Sequence, residues 1–353
     1  MEIVHGDTPS YKRLRPLKPL KKTDGFPVYQ NLTDKLVATA VHPNPEVAHV
    51  LGTCAGYAYS DADTVGMIMA RLGLEDNHCL MVAQYVDVMF ICSTAFLIQS
   101  RDGRVLVIGY RGTTATSLIN WLTDFDLNPQ KVPITFKDGP ETFDVHGGFY
   151  RNVRATRYEI INTVERALEG KSILGGDKPR SMPNPLEALY VTGHSLGAAM
   201  ASMLAVMLTT ESAYSPIADK LKAVYTFGQP MIGSPELARA CNAHEFLRER
   251  VIRYIYGNDT APQVPPRPAG EFAHFGQEYQ YKTHGDSGDW HHNFRPTKQL
   301  GNLREVVTSP LTFFTRQLEI TRHLRFRSDI YDHLPQHYIA ALTPDGVQTE
   351  FGR

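Results

Sequence analysis

One short stretch constrains this chain more than any other. Gly193-His194-Ser195-Leu196-Gly197 stands between an apolar run, Ala188 to Thr192, and a stretch of small residues that includes Ala198, Ala199, Ala201, Ser202 and Ala205. An apolar run of that length suits a strand buried within a sheet, and the residues after it suit a helix packed closely upon it. A strand, a sharp turn and a helix in that order hold the central serine in a strained backbone conformation. Side chains two positions either side would clash, and Gly193 and Gly197 have none. The helix start then aims backbone N–H groups and a positive dipole end at charge developing near the Ser195 hydroxyl.

The surrounding pattern extends this unit in both directions. Arg101-Asp102-Gly103-Arg104 reads as a hairpin turn between a β-rich stretch, Val88 to Ile98, and a continuous apolar run, Val105 to Tyr110. Helices are predicted at Tyr150 to Leu168, Leu196 to Thr209 and Pro235 to Phe246, and strands at Ala188 to Thr192, Ala223 to Phe227 and Val251 to Tyr256. Alternation of this kind implies an α/β fold with a mostly parallel central sheet and helices on both faces. Ahead of it, Glu46 to Leu74 has helical periodicity, and residues 1–35 read as an extended arm. That arm carries the basic cluster Lys12, Arg13, Arg15, Lys18, Lys21 and Lys22. We therefore expect an N-terminal arm and helical extension over residues 1–84 and a catalytic domain over 85–353. Residues 284–310 read as a polar loop, opening an insertion at about 284–328 that ends in the basic, amphipathic stretch Leu311 to Phe326.

Composition excludes several classes. With 36 Lys+Arg against 37 Asp+Glu in 353 residues, the formal charge is -1, which argues against a nucleic-acid partner. Residues 1–22 lack the apolar run of roughly 7–15 residues that a secretory signal needs, and no stretch approaches the ~20 apolar residues of a spanning helix. The expected location is cytoplasmic or peripheral, or secreted if a signal has been removed. Cys54, Cys79, Cys92 and Cys241 are widely spaced and read as free thiols. His284, Asp286, Asp289, His291 and His292 lie close together, but their spacing matches no structural zinc pattern. No metal and no cofactor is expected.

A serine hydroxyl is a weak nucleophile and needs a base within hydrogen-bond reach. Where the serine sits on such a turn, the acid and then the histidine follow it in sequence. Asp259 fits the acid, just past the strand Val251 to Tyr256. The histidines after it are His274, His284, His291, His292, His323, His333 and His337. His333, in Tyr331-Asp332-His333-Leu334, is favoured because it precedes the last helix-like segment. His337 is its nearest rival, and the residues alone leave both open.

Several further segments, taken in order, resemble the fungal-type (class 3) triacylglycerol lipases of the α/β-hydrolase fold. They are Tyr110-Arg111-Gly112-Thr113, Asn120-Trp121-Leu122-Thr123-Asp124, Val145-His146-Gly147-Gly148-Phe149, the serine segment Val191 to Gly197, and Tyr225 to Pro230 leading to Asn258-Asp259. Asp332-His333-Leu334 fits the end of the pattern. The resemblance implies a nucleophile elbow of Gly193, His194 and Gly197 around Ser195, with Asp259 orienting His333 as general base. It implies an oxyanion hole from Thr113 and the Leu196 N–H, and a lid whose apolar face holds Ile119, Trp121, Leu122 and Phe125. The implied activity is hydrolysis of acylglycerol or related acyl esters through an acyl-enzyme, with a lipid substrate and contact with a membrane or lipid-droplet surface. Phospholipase A1, a non-interfacial carboxylesterase of feruloyl type and a non-catalytic lipase-like scaffold are the alternatives.

Overall fold

A computed structural model of the chain describes residues 27–86, 91–112, 129–137, 139–176, 180–284, 287–301 and 331–347. The strands of the main sheet are β1 (His78–Val86), β2 (Ile91–Gln99), β3 (Val105–Tyr110), β6 (Ala188–His194), β7 (Leu221–Phe227), β8 (Val251–Tyr256), β9 (Gln277–His284) and β10 (Ser287–His292). They lie in that order across the sheet, while β4 (Pro129–Phe136) and β5 (Gly139–His146) pair separately. The central pairs from β3 to β9 are parallel, and antiparallel pairs flank them on both sides.

The helices are α1 (Leu32–Ala38), α2 (Pro45–Tyr57), α3 (Ala62–Leu72), α4 (Gly147–Leu168), α5 (Leu196–Thr210), α6 (Ser215–Ala218), α7 (Pro235–Ala243), α8 (Glu245–Arg250) and α9 (Pro335–Leu342). Local signals start several of them. Asn44 accepts from the Val47 N–H ahead of Pro45, and Ser234 does the same for Leu237 ahead of Pro235. Strand β3 shows how the sheet is covered twice. Leu106 and Ile108 join one apolar cluster with Phe149, Val153 and Met200 of α4 and α5. Val105 and Val107 join another with Val50, Leu51 and Met69 of α2 and α3. Side chains alternate between the faces of a strand, so a run apolar at every position needs helices on both.

Four local expectations differ from what is observed. Strand β1 at His78–Val86 has no counterpart in the sequence reading. It is an edge strand, paired only with β2 in the main sheet, and its polar Gln84 and exposed Tyr85 obscure the apolar run. The single helix expected at Pro235 to Phe246 is two, because His244 adopts an extended conformation and turns the chain towards β8. The segment opening at 284 is not a plain loop: β9 and β10 form a hairpin there. The Tyr281 and Trp290 rings meet across it, Tyr254 of β8 packs against both Tyr279 and Trp290, and Trp290 Nε1 donates to Ala341 O of α9 at 3.1 Å. Finally, the arm expected to be extended up to about residue 35 is helical from Leu32, whose side chain is buried with that of Leu36. Residues 1–26 and the basic stretch Leu311 to Phe326 lie outside the described residues.

A buried ion pair ties the sheet to the segments beside it. Arg253 of β8 and Glu278 of β9 meet at 2.9 Å, each 1% exposed. Arg253 Nε donates to Phe275 O, while Glu278 accepts from Asn293 Nδ2 and from both N and Oγ1 of Thr297. Further along, Gln299 Nε2 donates to Pro265 O and Gly270 O. Burial pushes the Arg253 pKa down, and Glu278 opposes that shift. Arg253→Ala would leave the Glu278 charge buried and unpaired, so about 3–5 kcal/mol of stability should be lost. Urea unfolding measures it, and a midpoint equal to wild type would contradict this role.

Candidate active site

Strand β6 carries the turn to the edge where the parallel strands end: Gly193 pairs with Tyr110 of β3 and Thr226 of β7. Ser195 follows at φ 59, ψ -127, a positive φ that a side chain adopts only under constraint. Its N–H donates to Phe227 O at 2.9 Å, and its carbonyl accepts from the Ala198 N–H at 2.9 Å. The two glycines are required sterically. A Cβ on Gly193 would strike the Gly197 backbone, and a Cβ on Gly197 would strike the Tyr110 carbonyl oxygen.

Two other segments reach this turn. Asp259 follows β8, with its N–H on Tyr256 O and its Oδ1 accepting from the Ala261 N–H at 2.8 Å. His333 lies just ahead of α9. Its Nδ1 is 2.8 Å from Asp259 Oδ2 and its Nε2 is 2.8 Å from Ser195 Oγ. A carboxylate only accepts, so Nδ1 carries the proton and Nε2 presents its lone pair to the serine O–H. Burial pushes Asp259 up. The positive charge of His333 and hydrogen bonds from His333, Tyr338 and the Ala261 N–H outweigh that and hold it below the usual carboxylate range. The three side chains thus form a hydrogen-bonded chain that is buried: Ser195 is 0% exposed, Asp259 3% and His333 6%.

Of the remaining sequence candidates, Leu196 is the first residue of α5, so its N–H has no acceptor within the helix. It adjoins Ser195 and can face an oxyanion there. Thr113, Ile119, Trp121, Leu122 and Phe125 lie outside the described residues. His337 stands apart from the serine, its ring between those of Tyr256 and Tyr331. His274 is buried and bonded to Pro262 O. Among the described residues no group of His, Cys, Asp and Glu is arranged to hold a metal ion.

Three neighbours of the site were given no role from sequence. Tyr338 of α9 donates to Asp259 Oδ2 at 2.5 Å. Gly228 sits at φ 60, and a Cβ there would press on both Asp259 Oδ2 and the His333 ring. Asp332 Oδ2 accepts from the Asn258 N–H at 2.8 Å, joining the histidine segment to the aspartate turn. Gly228 and Asp332 had a signal, their places in Tyr225 to Pro230 and in Asp332-His333-Leu334, and Tyr338 had none.

Residues 107–269 match the family model described as Lipase (class 3). Over that segment, a little under half of its length, the chain is similar to the class 3 lipases. It is similar to the triacylglycerol lipase OBL1 of Ricinus communis, 26% identical over 290 residues that cover 68% of this chain and 53% of that protein. It is also similar to phospholipase A1-II 1 of Oryza sativa subsp. indica, 25% identical over 178 residues that cover 46% of this chain and 40% of that one. The chain therefore spans about half the length, or less, of these relatives. A solved structure of Rhizomucor miehei lipase with its propeptide superposes at a TM-score of 0.55 and 20% identity, covering 95% of this chain and 92% of that one. The chain has the α/β-hydrolase fold expected for it.

Proposed function

We propose that this chain is a serine carboxylic ester hydrolase that cleaves acylglycerol or related acyl esters through an acyl-enzyme. The observation that carries the reading is the unbroken contact from Ser195 Oγ through His333 to Asp259, on a strained turn at the end of the parallel strands. In the proposed mechanism His333 Nε2 takes the Ser195 proton as Oγ attacks the ester carbonyl. The Leu196 N–H, together with the expected donor Thr113, faces the resulting oxyanion. The ester C–O bond breaks and the alcohol leaves with the proton from His333. Water, deprotonated by the same histidine, then releases the carboxylic acid and restores the serine. No metal or cofactor enters these steps.

The complete burial of Ser195 favours a lipase acting at an interface over an open esterase, because substrate must first gain access. Ester hydrolysis across acyl lengths, below and above each substrate's solubility limit, tests this. We expect a jump in rate at the interface; smooth saturation on short, dissolved esters would contradict it. The likeness to the rice phospholipase keeps phospholipase A1 as the second reading, and the same assay on phosphatidylcholine separates the two. Among the described residues no single helix is long and apolar enough to cross a membrane. Contact with a lipid surface is proposed for the basic segments Lys12 to Lys22 and Arg316 to Arg327, both outside the described residues.

A further inference from the structure

We propose that Tyr59, in the connector between α2 and α3, is a positioning residue for His333 and acts on it through His194. The inference rests on the hydrolase reading above. Tyr59 lies well ahead of the segment 107–269 that carries the family pattern, yet its hydroxyl is 2.8 Å from Nδ1 of His194 in the elbow. On the other side of that ring, Nε2 lies 2.7 Å from the main-chain oxygen of His333. The two imidazoles also pack together, with centroids 4.6 Å apart and planes tilted by 35°. His194 thus forms a floor beneath the base and a tether to its backbone.

Proton positions in this relay follow from what each atom can do. The His333 carbonyl only accepts, so His194 Nε2 must carry a hydrogen. Burial first, and the His333 charge second, pull the His194 pKa down to about 3, so the ring is neutral and its Nδ1 is a lone pair. Tyr59 therefore donates its O–H to Nδ1, and the two bonds together hold the tautomer and the orientation of the ring. Without the Tyr59 bond, Nδ1 is left buried with no donor, and only the Nε2 bond to the His333 carbonyl holds the ring in place.

The connector is held in place for this contact. Arg111 donates from Nε to Ala58 O at 2.6 Å and from Nη2 to Ser60 O, bracketing Tyr59 on both sides. Gly112 lets the hydroxyl in: a Cβ there would overlap both the Tyr59 oxygen and the His194 carbonyl. The same two residues lead directly to Thr113. Helices α2 and α3 are therefore tied to the nucleophile turn, to the base and to the strand end that precedes the expected oxyanion donor.

Removing one hydroxyl should disturb the base without touching substrate. With the full chain and an emulsified p-nitrophenyl ester above its solubility limit, Tyr59→Phe should lower kcat about 10- to 100-fold, as small misplacements of reacting groups do, with KM unchanged. A merely structural hydroxyl would lower the unfolding temperature and leave kcat per folded molecule intact. Coupling decides between them. In His194→Gln the side-chain amide can still donate to the His333 carbonyl without help from Tyr59. Adding Tyr59→Phe to that variant should then cost little further activity. An unchanged kcat in Tyr59→Phe, a rise in KM alone, or an equal fold loss in both backgrounds would overturn the proposal. A Ser195→Ala variant that stayed fully active would instead overturn the hydrolase reading. An inactive Ser195→Ala beside a fully active Tyr59→Phe would remove only the role of Tyr59.

Discussion

Ser195→Ala should lower kcat for ester hydrolysis by about 10⁶-fold, the scale seen when the nucleophile of a serine hydrolase is removed. The substitution deletes the oxygen that forms the acyl bond and little else. The turn itself is held by main-chain bonds, from the Ser195 N–H to Phe227 O and from the Ala198 N–H to the Ser195 carbonyl, and by the two glycines that admit it. The folded state should therefore survive. His333 Nε2 would lose its donor but keep its Nδ1 bond to Asp259. Residual activity within about tenfold of wild type would mean that another group attacks the ester.

Asp259→Asn should cost about 10⁴ in kcat. The carboxylate now accepts from three donors: His333 Nδ1 and Tyr338 Oη on Oδ2, and the Ala261 N–H on Oδ1. An amide has only one accepting end. Whichever way it turns, an N–H₂ group faces a donor, and no negative charge remains to stabilise the imidazolium that forms when Ser195 gives up its proton. The same carboxyl makes a pH-dependent contribution to stability. Its folded pKa lies below the ordinary 3.8, so the contribution is complete above that value and is lost as pH falls through the lower folded one. Urea midpoints at about pH 6 and pH 3 should diverge more for wild type than for Asp259→Asn, which has no carboxyl to protonate there. Equal pH dependence in the two proteins, or an Asn variant with full turnover, would contradict the assignment.

The sequence made some of this legible and hid the rest for reasons that can be named. The elbow could be read because its requirement is local: Gly193 and Gly197 are needed within five consecutive residues, and strand and helix periodicities flank them. The parallel sheet followed from alternation, and β3 and β8 begin and end where the sequence pattern predicts. The choice between His333 and His337 did not follow from residue patterns. It depends on Pro335 starting α9, which leaves His333 in the preceding loop and turns His337 towards Tyr256. Strand β10 was hidden because it is an edge strand whose exposed Asp289 and His291 flank the packed Trp290, and such a mixture has a loop's composition. Tyr59 and Tyr338 were invisible for a different reason. They lie 135 and 79 residues from the partners they touch, and only the fold brings them near.

The claim at the centre is that Ser195 is the group that becomes acylated. Labelling the intact protein with a fluorophosphonate and mapping the adduct by peptide mass spectrometry tests it most directly. One adduct per chain is predicted, on the peptide containing Ser195, formed in step with the loss of esterase activity and absent from Ser195→Ala. An adduct on another residue, or activity that persists with Ser195 fully modified, would contradict it.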